Sequence, residues 1–298
     1  MQSTSARKEK PVLQKILPLF YIISAIFILY YLIAGWDFYT SGYQLRPRLE
    51  DYRLLRPAGF RGHAFGILGT LMMLLMLLYS LRKRTRFFGD FLPLSTWLKV
   101  HIYLGIFGPL LVVLHTSFKI NGLVAVSFWS MVAVALSGVL GRYLYLQIPR
   151  TIAGNEINLT DLENTNIQLS SEITVESSLD DQTTEKLVKQ YLGKLQKNNN
   201  LFTLLIKLIW FDMTRPLRNL RLKNRLQKQY NIPSGTVGEM VELIRNKALL
   251  HRRIIFWNHI HQMFHYWHIV HKPFAFVMYL ILLVHVGVAA WMGYTWIF

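Results

Sequence analysis

Five apolar runs, at 16–35, 64–81, 100–118, 122–146 and 273–297, constrain this chain more than any other feature. Stretches of about eighteen or more apolar residues read as membrane helices. The first follows a basic N-terminus carrying Arg7, Lys8 and Lys10. Its apolar stretch is too long for a signal-peptide core, and no small-residue cleavage site follows, so an uncleaved helix is expected. The predicted fold is all-α: an integral membrane bundle of five transmembrane helices, with a mainly helical cytoplasmic insertion between helices 4 and 5. Residues 1–150 would hold helices 1–4 and 151–255 the insertion. Residues 256–298 would hold a histidine-rich lead-in and helix 5.

The formal net charge of +17 could suggest a nucleic-acid partner, but its placement argues against one. With the N-terminus inside, only six of the 33 Lys and Arg residues fall in external loops, and 27 lie on the inner side. That asymmetry follows the positive-inside rule. The expected orientation puts the N-terminus and the insertion in the cytoplasm and the C-terminus outside, and a bacterial inner membrane is the expected location. The chain has no cysteine. Covalent haem attachment through C-x-x-C-H and Cys-ligated iron–sulfur clusters are therefore excluded, leaving histidine or methionine to hold any redox cofactor.

Histidine is placed for that task. His101 and His115 in helix 3 are fourteen residues apart, as are His271 and His285 in helix 5. Fourteen residues are nearly four turns, so each pair shares a face, with a rise of about 21 Å. The hydrocarbon layer is about 30 Å thick, so the members of a pair sit near opposite leaflets. One helix separates helices 3 and 5, so both cross in the same direction. His101 then lies level with His271 near the inner face, and His115 with His285 in the outer half. Polar groups at such depth default to a functional role, and neutral imidazole is a good iron ligand. The four are read as axial ligands of two non-covalent b-type haems.

Several neighbours join the candidate site. Gly105 and Gly108 fall at +4 and +7 from His101, on the stripe of His115. Either they let helices pack closely or they leave room for a flat porphyrin. His268 rivals His271 as the inner ligand, since facing does not separate them. Pro273 suggests that the membrane helix begins near Lys272, which favours His271. His63 is an outer-side alternative. Lys99, Arg142, Arg150 and Lys272 are the basic groups placed to meet propionates. The run HIHQMFHYWHIVH also puts His261, His265 and His268 on one helical face, a spacing that suits a divalent ion.

Outside the spans, Trp36, Tyr39 and Tyr43 of the first external loop suit a membrane interface. The insertion has two unlike halves. Residues 151–185 contain eight acids and no Lys or Arg, and read as a solvated, flexible segment. Residues 186–253 contain fifteen Lys and Arg against three acids. An amphipathic helix through Leu187, Tyr191 and Leu195 is expected there, then an interfacial segment at 201–211 and a basic helix resting on anionic headgroups or on the acidic half of the insertion. Thr236 and Glu239 form a capping-box pattern that opens a further helix.

The stretch RKRTRFFGDFLPLSTWLKVHIYLGIFGPLLVVLHTSF, together with WHIVHKPFAFVMYLILLVHV, resembles the ferric reductase-like transmembrane domain family. In that family the third and fifth helices each carry two histidines that clasp two stacked b haems. The resemblance implies these roles for His101, His115, His271 and His285. The family's flavin- and nicotinamide-binding module has no counterpart here, so electrons would come from a separate redox subunit or cytochrome. The chain is also similar in logic to the di-haem cytochrome b anchors of quinone-linked dehydrogenases, which makes quinol a candidate donor and quinone a candidate further ligand. The expected function is to carry electrons across the membrane, as the membrane subunit of an oxidoreductase. The alternative is a haem-free, histidine-rich membrane protein for metal transport or scaffolding.

Overall fold

The computed structural model describes residues 12–85, 88, 91–149, 157–177, 180–193 and 200–294, and all their regular structure is helical. Five helices are long and apolar enough to cross a membrane: α1 (Val12–Ala34), α4 (Phe60–Arg84), α5 (Leu94–Thr116), α6 (Leu123–Gln147) and α12 (Trp257–Trp291). Between α1 and α4 lie α2 (Trp36–Thr40), a 3₁₀ turn (Arg46–Arg48) and α3 (Tyr52–Leu55). Between α6 and α12 come α7 (Leu159–Ser177), α8 (Asp181–Leu192), α9 (Leu201–Met213), α10 (Arg215–Gln229) and α11 (Val237–Ile255). The protein is an integral membrane helix bundle with a large helical insertion. Its outward faces fit that reading, because Ile22, Ile26, Leu29 and Ile33 of α1 and Phe276, Leu280 and Leu283 of α12 are all exposed. Apolar patches of that extent mark a lipid-facing surface.

The chain divides into two compact units, residues 1–141 with 267–298, and residues 142–266. In the first, α4 and α5 form the closest helix pair. A Cβ at Gly108 would lie 3.3 Å from Met72 Cβ and Met73 Cγ, and one at Gly105 would lie 3.2 Å from Met76 Cε. Both glycines are thus filled by methionines of α4, the geometry of small-residue packing between membrane helices. Helix α1 is tied to α5 by a 2.6 Å hydrogen bond between Ser24 and Tyr103 and by a relay in which Lys99 donates to Gln14 and Gln14 to Thr96.

The α1–α4 connection is organised around Arg46. Its buried guanidinium donates to the carbonyls of Ser41, Tyr39 and Ser117 at 3.0, 2.9 and 2.5 Å and lies over the rings of Phe38 and Tyr43. Ser117, at the left-handed C-cap of α5, in turn donates to the Leu55 carbonyl. This changes the reading of the loop aromatics. Trp36 and Tyr43 are exposed, but Tyr39 is buried with Phe38, Leu55, Phe65, Leu111 and Leu114, and burial pushes its phenol up to about 12.

In the second unit the core is a helical cluster that includes Ile173, Leu187, Tyr191, Phe211, Leu226, Met240 and Ile244. Its surprise is α7. Acidic composition suggested a flexible loop over 151–185, yet 159–177 is helical, with Leu162 and Ile173 buried and Lys247 of α11 donating to Ser170. Leu187 and Tyr191 are buried in α8 as their spacing predicts, while Leu195 and Arg150 lie outside the described residues. Helix α11 opens after Thr236, but the capping box does not form: the threonine hydroxyl donates to Pro233, and its side chain caps no helix N–H.

Helix α12 is also longer than its apolar run. It continues unbroken through Pro273, where a helix start near Lys272 was expected. At 1.5 Å per residue, its 35 residues extend about 52 Å, well beyond a hydrocarbon layer. A proline inside a membrane helix forfeits one backbone hydrogen bond, a loss that neighbouring helices and local adjustment can absorb.

Candidate functional site

Three of the four candidate histidines are seated by two neighbouring helices, α4 and α6. His101 Nδ1 lies 3.2 Å from the Met76 carbonyl, and its ring packs on Tyr79. His115 Nδ1 lies 2.8 Å from the Gly62 carbonyl. A carbonyl can only accept, so in both bonds Nδ1 carries the proton. His271 Nδ1 meets the Ser137 hydroxyl at 2.8 Å. That hydroxyl also lies 2.9 Å from the Val134 carbonyl, so it can give its one proton there and accept from His271. At His101 and His115 the remaining nitrogen of a neutral ring, Nε2, therefore keeps its lone pair. This is the tautomer that a metal-ligating imidazole needs, fixed by the kind of outer partner that orients such ligands.

The backbone of α4 makes room for one of these rings. Gly62 and Gly66 are one turn apart, the first offering its carbonyl and the second its bare Cα. A Cβ at Gly66 would lie 2.6 Å from His115 Nδ1. Gly66→Ala should therefore displace the ring or the helix, and overpacking of this kind costs about 1–3 kcal/mol. Gly287→Ala adds its methyl to open space. A thermal melt in detergent checks the contrast: Gly66→Ala should lower the midpoint by several degrees and Gly287→Ala should not.

The pairs meet level by level. The His115 and His285 ring centroids are 6.5 Å apart with the planes inclined at 62°. One metal bonded at about 2 Å to each imidazole, with the ring centre roughly 1 Å behind each nitrogen, requires a separation of about 6 Å. His101 and His271 lie within range of each other's charge, and His115 within range of both His285 and His63. The helices themselves stand apart, for α5 and α12 share almost no close backbone approach while α4 and α5 interlock. Side chains thus converge from separated backbones, as a flat cofactor between them would require. Between the two levels sits an apolar layer of Met73, Phe128, Met131 and Met278, with Tyr279 donating to the Met73 carbonyl. Met278 is seven residues from His271 and seven from His285.

The remaining candidates divide. His63 stands beside His115 in the first turns of α4. The His268 ring lies 4.5 Å from that of Trp267, whose indole donates to the Ser137 carbonyl and fills the space above Gly141. The residue that holds His271, Ser137, thus also anchors Trp267. Neither residue stands out in the sequence, because one serine in an apolar run and one tryptophan near a membrane surface are both commonplace. Gly105 and Gly108 face methionines rather than an open slot. The Arg142 guanidinium lies over Tyr145, Lys99 donates to Gln14, and Lys272 is exposed. In the histidine run, His261 is bonded to the Trp257 carbonyl and His265 is exposed. Among the described residues no three His, Cys, Asp or Glu side chains gather as a metal site.

Compared with protein-family models, curated proteins and solved structures, the chain matches nothing. The resemblance to ferric reductase-like domains therefore rests on the two spaced histidine pairs and the helix order alone.

Proposed function

We propose that this protein is a di-haem b-type membrane cytochrome that carries electrons across the bilayer, from a quinol or cytoplasmic donor to a separate redox partner. The observation that carries the reading is the convergence of His115 and His285 at a spacing suited to one shared iron, with His115 held as the Nδ1–H tautomer. His101 and His271 would hold the second group at the inner level. Bound haem supplies reversible one-electron chemistry at iron. The protein's part is to fix ligand tautomers through Met76, Gly62 and Ser137, to bury the site among apolar side chains and to keep the two levels apart. With two histidines per iron no coordination position stays open, so the chain conducts rather than transforms a substrate. An inner-face assignment for the insertion follows the charge asymmetry. A pyridine haemochrome assay on purified protein tests the proposal: two b haems per chain are expected, and a folded chain without haem would overturn it.

A further inference from the structure

Helix α9 has two faces. Phe202, Ile206, Trp210 and Met213 are 70, 51, 66 and 69% exposed. At 100° per residue all four fall within an 80° arc. The opposite side, Leu204, Leu208 and Phe211, is buried in the unit. Helix α10 adds exposed Leu217 and Leu220, and carries Arg215, Arg218, Arg221, Lys223, Arg225 and Lys228 with no acidic residue. An aqueous domain does not ordinarily expose so large an apolar stripe. Beside a cationic helix, and in an insertion whose chain ends are both membrane spans, it has the composition of an in-plane membrane helix. We infer that α9 and α10 form a lipid-docking surface that buries the Phe202–Met213 arc among the acyl chains of an anionic leaflet while the basic residues of α10 bind its phosphates. Acidic headgroups are the complement of that charge. The insertion would then grip the membrane surface directly, independently of whether haem is bound.

The cysteine-free sequence makes a clean test possible. Single cysteines at Phe202, Ile206, Trp210 and Met213, and at exposed, off-arc Lys207, would each carry a nitroxide in the full chain. Spectra would be recorded in nanodiscs of phosphatidylcholine with or without phosphatidylglycerol. In anionic discs the four arc labels should collide with oxygen and be shielded from a water-soluble nickel chelate, while the Lys207 label shows the reverse. Replacing Arg215, Arg221, Lys223 and Lys228 together by Gln should raise nickel accessibility at the arc severalfold, to the level that the unsubstituted chain shows in neutral discs. Arc labels as open to nickel as the Lys207 label in both lipids would overturn the proposal. So would labels shielded from both reagents, which would mean that protein covers the face.

Discussion

Substituting alanine for His115 should leave one b haem per chain where the proposal gives the unsubstituted protein two. The outer pair has a 6.5 Å ring separation, so losing the His115 ring would leave His285 without the partner that completes a two-histidine site. The inner pair lies about 21 Å away along the helices, beyond the apolar layer of Met73, Phe128, Met131 and Met278, and should keep its haem. His285→Ala should give the same stoichiometry, and a redox titration of either variant should show one component instead of two. The hydrogen bond lost from Gly62 costs only about 1 kcal/mol, so the fold should survive. His63, beside His115, is the control: His63→Ala should retain both haems if His115 and His285 are the outer ligands. Two haems retained in His115→Ala would remove the pair from the site.

The second large effect is expected far from the histidines. Arg252 is almost fully buried and donates to Asp212 at 2.7 Å and to Gln147 at 2.7 Å, while Tyr143 and Gln147 donate to the other Asp212 oxygen. Asp212→Ala leaves that guanidinium without its counter-charge. Breaking one side of a fully buried pair typically costs about 3–5 kcal/mol. The Asp212 side chain is 30% exposed, so a smaller cost is expected, still a sizeable fraction of what holds a domain of this size. Asp212→Asn keeps two acceptor lone pairs on one oxygen but loses the charge, so it should fall between the two. Hydrogen exchange on the full chain in detergent checks this: amides of α9 and α11 should exchange faster in Asp212→Ala by two or more orders of magnitude, while those of α5 hold.

The spans were legible because lipid imposes a simple rule: about twenty apolar residues make a crossing helix, and each span falls within a few residues of its run except α12. There the N-terminal sixteen residues, with five His and two Trp, interrupt the apolar run that marks the rest of the helix. Helix α7 was hidden for a related reason. Its composition is polar throughout, and only a thin stripe including Leu162 and Ile173 packs inward, too sparse to read without its partner α11. The burial of Tyr39 was not legible because it packs against Leu55, Phe65, Leu111 and Leu114 from three other helices, and no local pattern encodes that. At the site, fourteen-residue spacing and helix parity predicted which histidines share a level, and at the outer level the structure sets the His115 and His285 rings 6.5 Å apart. What spacing could not supply was the support: the Gly62 carbonyl, the bare Gly66 and the Ser137 hydroxyl are ordinary residues given meaning only by packing.

The methionine- and phenylalanine-lined layer around Met278 has an electrical consequence. Its buried members are Met73, Phe128, Met131 and Met278. The hydroxyls of Tyr279 and Ser127 beside them both donate to backbone carbonyls, so the layer offers a proton or an ion little to travel on. Only electrons, which need no such carriers, could pass it at useful rates. Charge moved between the two histidine levels would thus be uncompensated, and would do work with or against the transmembrane voltage at about 2.3 kcal/mol per charge for every 100 mV of the potential crossed. A layer that in a soluble protein would be mere core would act here as the dielectric of a capacitor, coupling the direction of flow to the energised state of the membrane.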